Sequence, residues 1–187
     1  MKACSFFGHR DTPQTEELKE KVREVVERLI VEEGVDAFLF GSRSNFDELC
    51  HIVVTELKEK YPHIRRIAYL CKHETACLVG TGMDLERKLQ NIAGLEVRVR
   101  EFEEIKKSDR VNSAGRAAYV ERNQDMINAS NYCVFFYCPY KSKVRSKKLT
   151  QGVCKYQTIS GTALAFLYAI QFKKAGKIQV FNLSKDE

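Results

Sequence analysis

The chain has 187 residues, of which 44% are hydrophobic and 30% charged, proportions that are ordinary for a globular protein and exclude a disordered or collagen-like chain. This length predicts one domain over residues 1–187, and the longest apolar run, residues 132–137, is too short to span a membrane. The net charge of +6 favours anionic ligands, although so small an excess does not by itself indicate nucleic-acid binding.

The cysteines and the N-terminal residues indicate the compartment. Seven cysteines, an odd number without regular spacing, are typical of reduced thiols. The chain reaches Gly8, His9 and Arg10 before any signal-peptide core develops. We therefore expect a cytoplasmic protein that does not associate with membranes.

The first part of the sequence alternates between strand and helix. A buried strand over residues 2–7 precedes a helix that Thr15 caps and Gly34 ends. A strand over residues 35–40, an amphipathic helix that stops at Pro62 and a strand over residues 66–71 follow. This alternation predicts a parallel sheet with right-handed crossover connections.

The second part is less regular at first and then resumes the alternation. Residues 72–113 predict a helix over 83–92 and an extended segment over 95–102. The remaining predicted elements are a helix over 115–129, a strand over 131–138, a basic loop over 141–148, a helix over 163–172 and a strand over 178–183. We expect a Rossmann-like three-layer α/β/α domain with a mainly parallel sheet.

Small and basic residues follow the predicted strands or open the last predicted helix. In a parallel sheet, ligands bind beyond the carboxyl ends of the strands, where exposed backbone N–H groups and helix N-termini favour a phosphate. Arginines there can form forked hydrogen bonds to phosphate oxygens. The candidate ligand-binding residues are Gly8, His9, Arg10, Gly41, Ser42, Arg43, Ser160, Gly161 and Thr162, with Arg122 as a further cation.

Three of the candidate features have an alternative interpretation. His9 can hydrogen-bond a phosphate or a base, or it can simply pack within its loop. The basic loop over residues 141–148 can close over a polyanion or contact a nucleic-acid backbone, or it can be a solvated loop. Tyr119 and Tyr156 can stack on a base or pack against a neighbouring helix.

Four segments together resemble a known superfamily. They are Phe6-Phe7-Gly8-His9-Arg10, Phe40-Gly41-Ser42, the residues from Arg122 to Ser130, and Ser160-Gly161-Thr162. Across nearly the whole chain they are similar to the YpsA-like branch of the SLOG superfamily, which also contains the LOG phosphoribohydrolases and the DNA-processing protein DprA. The resemblance implies a Rossmann-like fold, a nucleotide or nucleotide-derived ligand, and a homodimer.

The resemblance to the LOG enzymes extends to part of their catalytic motif. Arg122 matches their catalytic arginine, and Gly161-Thr162 matches their phosphate-binding Gly-Thr pair. Ala165 stands where those enzymes have a catalytic glutamate, and alanine cannot transfer a proton. Asp47 or Glu48 is a candidate replacement, with the alternative that both only complement the dipole of the helix that they begin.

These observations support three hypotheses for function. The first is a binding protein, a sensor or sequestering module, for a phosphorylated nucleotide, an ADP-ribose derivative or a nucleotide second messenger. The second is a nucleotide N-glycosidase that uses Arg122 with Asp47 or Glu48. A DprA-like DNA-binding protein ranks third, and none of the three requires a cofactor.

A metal site is not expected. Five residues that metals favour are Cys50, His51, Cys71, His73 and Cys77. Their spacing lacks the compact pairs of common zinc sites.

Overall fold

A computed structural model of the chain describes residues 1–41, 44–71, 102–107, 115–139 and 160–184. The strands in these ranges are β1 (Ala3–Gly8), β2 (Ala37–Phe40), β3 (Arg65–Leu70), β4 (Glu104–Lys107), β5 (Tyr132–Phe136) and β6 (Gln179–Asn182). The helices are α1 (Glu16–Val31), α2 (Asn45–Lys60), α3 (Gly115–Asn128) and α4 (Gly161–Lys174).

All six strands pair in one parallel sheet, in the order β4-β3-β2-β1-β5-β6. β1 and β5 are paired from Cys4 opposite Tyr132 to Gly8 opposite Phe136. The strand order reverses between them, because β2, β3 and β4 extend to one side of β1 while β5 and β6 extend to the other. The predicted Rossmann-like α/β class is confirmed, and this reversal is the point at which such sheets bind ligands.

The helices cover both faces of the sheet because successive side chains of a strand point in opposite directions. Cys4 and Phe6 of β1 pack in one core with α1 and α2, which we call the α1/α2 face. Ala3 and Phe7 pack in a second core with α3 and α4, which we call the α3/α4 face. The first turns of α2 and α4 lie at the carboxyl end of β1, where Phe46 packs against Gly8 and Thr162 donates to the Gly8 carbonyl.

The ends of α1 follow from local sequence. The Thr15 hydroxyl oxygen accepts a hydrogen bond from the Leu18 N–H at 3.2 Å, which confirms the predicted N-cap. Beyond the helix, Gly34 adopts a positive φ of 68°, a left-handed conformation that glycine tolerates best.

The fourth strand, β4, was not predicted. The extended segment expected over residues 95–102 lies outside the described residues except for Phe102, which precedes β4. β4 is at the edge of the sheet and three of its four residues are lysine or glutamate, so it lacks the apolar run that marks a buried strand. Residues 83–92, 95–101 and 141–148 lie outside the described residues.

Helices long and apolar enough to cross a membrane do not occur in the part of the chain that the structure describes.

Candidate functional site

The residues singled out in the sequence lie at the carboxyl edge of the sheet, around the reversal in strand order. Gly8 ends β1, Gly41 directly follows β2, and the N-terminus of α4 contacts β1. We call this group the strand-end site; it consists of Gly8, His9, Gly41, Arg122, Ser160, Gly161 and Thr162. Ser42 and Arg43, which were predicted to belong to it, lie outside the described residues.

The first turn of α4 is joined directly to the end of β1. The Thr162 hydroxyl donates a hydrogen bond to the Gly8 carbonyl oxygen at 2.9 Å. Ser160 is the N-cap, and its hydroxyl oxygen accepts from the Ala163 N–H at 3.1 Å. The N–H groups of Gly161 and Thr162 precede the one that this cap satisfies, and helix geometry gives them no acceptor within the helix. They form the positive end of the helix dipole beside β1.

Arg122 is buried beneath the strand ends. Only 2% of its surface is exposed, although arginine is rarely buried without partners. Its guanidinium lies over the Tyr119 ring, 5.1 Å from the ring centre, and its Nη2 donates to Asn123 Oδ1 at 3.2 Å. Its Nε is 2.9 Å from the position that a Cβ atom on Gly41 would occupy. α3 therefore holds a cation directly against the end of β2.

His9 connects the two strands that flank the reversal. The residue is 5% exposed, and its Nε2 lies 3.2 Å from both the amide nitrogen and the carbonyl oxygen of Cys138. Either tautomer of the ring therefore has a backbone partner beyond β5. The ring also stacks against Tyr137, with centroids 6.0 Å apart. These contacts give His9 a structural role, and its contact with a ligand stays a prediction.

Close packing requires glycine at two of the three positions that were predicted to form phosphate-binding loops. A Cβ on Gly8 would lie 2.3 Å from Cβ of Phe46, so any larger residue would clash with α2. A Cβ on Gly41 would lie 2.6 Å from Sδ of Met126. Gly161 differs, because a Cβ there would meet no atom within 4 Å. Sequence reasoning attributed all three to anion binding, since nothing local to Gly8 indicates the approach of a helix that begins 37 residues later.

The start of α2 carries the predicted carboxylates. Ser44 caps the helix by accepting from the Asp47 N–H at 3.1 Å. Asp47 is buried, whereas Glu48 is exposed. Burial, helped by the charge of Asp47, raises the pKa of the Cys50 thiol well above its ordinary value.

Arg10 is the exposed cation nearest in sequence to the strand-end site. Its carbonyl oxygen accepts from the Asn45 N–H at 3.2 Å, and the Asn45 side chain donates to the Thr12 carbonyl at 3.4 Å. The loop after β1 is thus joined to the start of α2, while the Arg10 side chain faces solvent.

The described residues that were considered as metal ligands lie among aromatic rings or are buried in the core. The centroid of the His51 ring lies 5.2 Å from that of Phe40 and 4.8 Å from that of Phe102. Cys50 and Cys71 are buried. His73, Cys77 and Tyr156 lie outside the described residues. Within the ranges that the structure covers, His, Cys, Asp and Glu form no group of three that could hold a metal.

Comparison with known proteins gives one distant relative. The chain is 29% identical over 136 residues to the uncharacterized SPbeta prophage-derived protein YoqJ of Bacillus subtilis (strain 168), an alignment that covers 72% of this chain and 80% of that protein. No protein-family model matches the chain. The function has to be inferred from the site itself.

Proposed function

We propose that the protein binds a phosphorylated nucleotide or a nucleotide-derived ligand at the strand-end site, as a sensor or sequestering module of the SLOG type. The observation that carries this proposal is the hydrogen bond from Thr162 to the Gly8 carbonyl. It brings the first turn of α4 to the end of β1, beside the reversal in strand order, where nucleotide-binding sheets of this class receive a phosphate.

The electrostatics of the site favour an anion in two ways. The first-turn N–H groups of α4 offer donors and the positive end of a helix dipole. The buried Arg122 guanidinium lies against the neighbouring strand end, and a charge in such a low-dielectric setting acts more strongly than an exposed one. Because Arg122 is 2% exposed, its contribution is the field of a buried cation. The exposed Arg10 side chain is the better candidate to donate a pair of direct hydrogen bonds to phosphate oxygens.

The positions of the carboxylates support binding rather than hydrolysis. Ala165 is buried in the α3/α4 face, so the position that matches the LOG glutamate carries no acid or base. Asp47 belongs to α2, which packs in the α1/α2 face, whereas Arg122 reaches Gly41 from α3. The two groups that an N-glycosidase would combine therefore come from helices on opposite faces of the sheet.

The proposal is tested by calorimetry with ADP-ribose, AMP and inorganic phosphate. We expect the wild-type chain to bind ADP-ribose or AMP. Arg122→Gln removes the buried charge, and Thr162→Val removes the hydrogen bond that joins α4 to β1, so each should weaken that binding about tenfold. Arg65→Gln is the matched arginine control, because Arg65 begins β3 at the opposite edge of the sheet. Thr55→Val, in α2, is the matched threonine control.

Three results would contradict the proposal. Unchanged affinity in both site variants, with intact circular dichroism spectra, would remove the site. Release of free base from AMP or ADP-ribose during incubation, detected by chromatography, would instead show an N-glycosidase. Salt-sensitive retention of single-stranded DNA without nucleotide binding would favour the DNA-binding hypothesis.

A further inference from the structure

The Arg122 guanidinium contacts two residues of α3 to which no function has been assigned. Tyr119 lies one turn before it on α3, where residues three apart share a face of the helix. The guanidinium carbon is 5.1 Å from the centre of the Tyr119 ring, and Nη2 donates to Asn123 Oδ1 at 3.2 Å. The third neighbour is Gly41, whose lack of a side chain leaves room for the Arg122 Nε.

These three contacts restrict the guanidinium in different directions. The aromatic face of Tyr119 attracts the cation and favours one orientation of the guanidinium plane. The hydrogen bond to the Asn123 amide oxygen keeps Nη2, rather than Nη1, turned toward Asn123. Gly41 limits how closely the group approaches β2. A flexible four-bond side chain is thereby confined at the edge of the site, and confinement of this kind increases affinity by lowering the entropy lost on binding.

We propose that Tyr119 is a positioning residue, which sets the orientation of the Arg122 guanidinium against the end of β2 through its ring face. Its effect on ligand affinity rests on the proposed function and passes entirely through Arg122. The ring, not the hydroxyl, does this, so phenylalanine replaces tyrosine at this position and leucine does not.

The first test needs no ligand. The Nε–H signal of Arg122 in ¹⁵N-labelled full-length chain is assigned by its loss in Arg122→Lys, and its exchange with solvent is then measured by NMR. We expect Tyr119→Leu to accelerate this exchange at least about tenfold, as release of a desolvated cation–π contact implies. Tyr119→Phe should stay within about twofold of the wild-type rate, because it keeps the ring face.

A matched control separates positioning from general loosening of the helix pair. Tyr168 is a partly buried tyrosine of α4 that hydrogen-bonds Asn128 of α3 at 3.0 Å. If Tyr168→Leu accelerates the Arg122 exchange as much as Tyr119→Leu does, or if Tyr119→Leu leaves it unchanged, the positioning role is overturned.

The second test is a double-mutant cycle on ADP-ribose affinity. Tyr119→Leu should weaken binding about fivefold in the wild-type background and have no effect in the Arg122→Gln background, since coupled residues are non-additive. An equal loss in both backgrounds would show that Tyr119 acts independently of Arg122 and would overturn the inference. If wild-type chain binds neither ADP-ribose nor AMP, the proposed function fails, and the exchange measurement alone decides the positioning role.

Discussion

The two faces of the sheet are filled in different ways. On the α1/α2 face, large apolar side chains form the core, and Phe6 stacks between Phe38 and Phe40 with centroids 6.1 and 5.2 Å apart. On the α3/α4 face, α4 contributes small residues, Ala165 and Ala169, and polar side chains are buried as well. Those polar side chains include Ser5, Ser130 and Arg122.

The two faces of the sheet therefore contribute differently to stability and to the candidate site. Burial of apolar groups is the dominant stabilising term in folding, and among the described residues the α1/α2 face has the larger of the two apolar clusters. Ala165 and Ala169 of α4 are buried against the sheet, and Thr162 in the first turn of the same helix donates to the Gly8 carbonyl. The polar groups that form the candidate site are therefore carried by the less apolar face, and substitutions on the two faces should have different consequences.

The largest expected effect is on the α1/α2 face. Gly8→Ala places a methyl group 2.3 Å from Cβ of Phe46, an atom that no rotamer change can move. We expect the free energy of unfolding, measured by urea denaturation, to fall by about 3 kcal/mol. Gly161→Ala, where the added atom meets nothing within 4 Å, is the control and should not lower stability. Equal losses in the two variants would erase the distinction.

Gly41→Ala tests the contact between β2 and the α3/α4 face. The added methyl group would lie 2.6 Å from Sδ of Met126 and 2.9 Å from Nε of Arg122, both of which belong to side chains that can shift. The expected loss is smaller, about 2 kcal/mol in the same urea experiment.

A double-mutant cycle between Gly41 and Met126 tests whether the clash with Met126 causes that loss of stability. In the Gly41→Ala/Met126→Ala double variant, the combined loss should be smaller than the sum of the single losses by about 1 kcal/mol, because one of the two clashes is relieved. Strict additivity would show that the alanine methyl group does not meet Met126.

Ser130→Ala tests the buried polar groups of the α3/α4 face. The Ser130 hydroxyl donates to the Met126 carbonyl at 2.7 Å and lies 3.0 Å from Ser5 Oγ, which in turn lies 3.4 Å from Cys133 Sγ. Loss of the hydroxyl should lower the free energy of unfolding by about 1 kcal/mol. Ser5→Ala should cost less in the Ser130→Ala background than in wild type; an equal cost would show that the two hydroxyls do not interact.

The smallest effect concerns the ion pairs between α1 and α2. Hydrogen bonds from Lys19 and then Arg23 lower the pKa of the Glu56 carboxyl below its ordinary value. Because the folded-state pKa is the lower one, the contribution is present above the unfolded value near pH 4.3 and is lost as pH falls through the folded pKa. With Glu56 39% exposed, Glu56→Gln should cost about 0.5 kcal/mol at pH 7.

The difference in stability between wild type and Glu56→Gln should disappear in acid, as urea denaturation at pH 7 and pH 3 would show. A difference that persists at pH 3 would mean that the carboxylate charge does not stabilise the α1–α2 contact.

Local sequence patterns predicted most of the fold, because helix caps and strand alternation depend on neighbouring residues. The Thr15 cap and the parallel sheet are confirmed. β4 was missed because an edge strand with charged residues has little apolar pattern.

Long-range contacts account for the parts of the site that sequence could not supply. Gly8, Gly41 and Thr162 were expected to lie together, because the carboxyl ends of parallel strands share one edge of the sheet. The clash that excludes a side chain at Gly8 depends on Phe46, and the burial of Arg122 depends on Gly41, so neither could be inferred from spacing. Anion binding by these residues stays a prediction.

The central position of β1 has a consequence for how the chain is made. β1 is synthesised well before β5, its partner on one side, which lies 128 residues further along the chain. At about 5–20 residues per second, the ribosome takes on the order of ten seconds to supply it. Until β5 has been made, one edge of this apolar strand lacks its partner in the sheet, and exposed strand edges of that kind favour aggregation and chaperone binding.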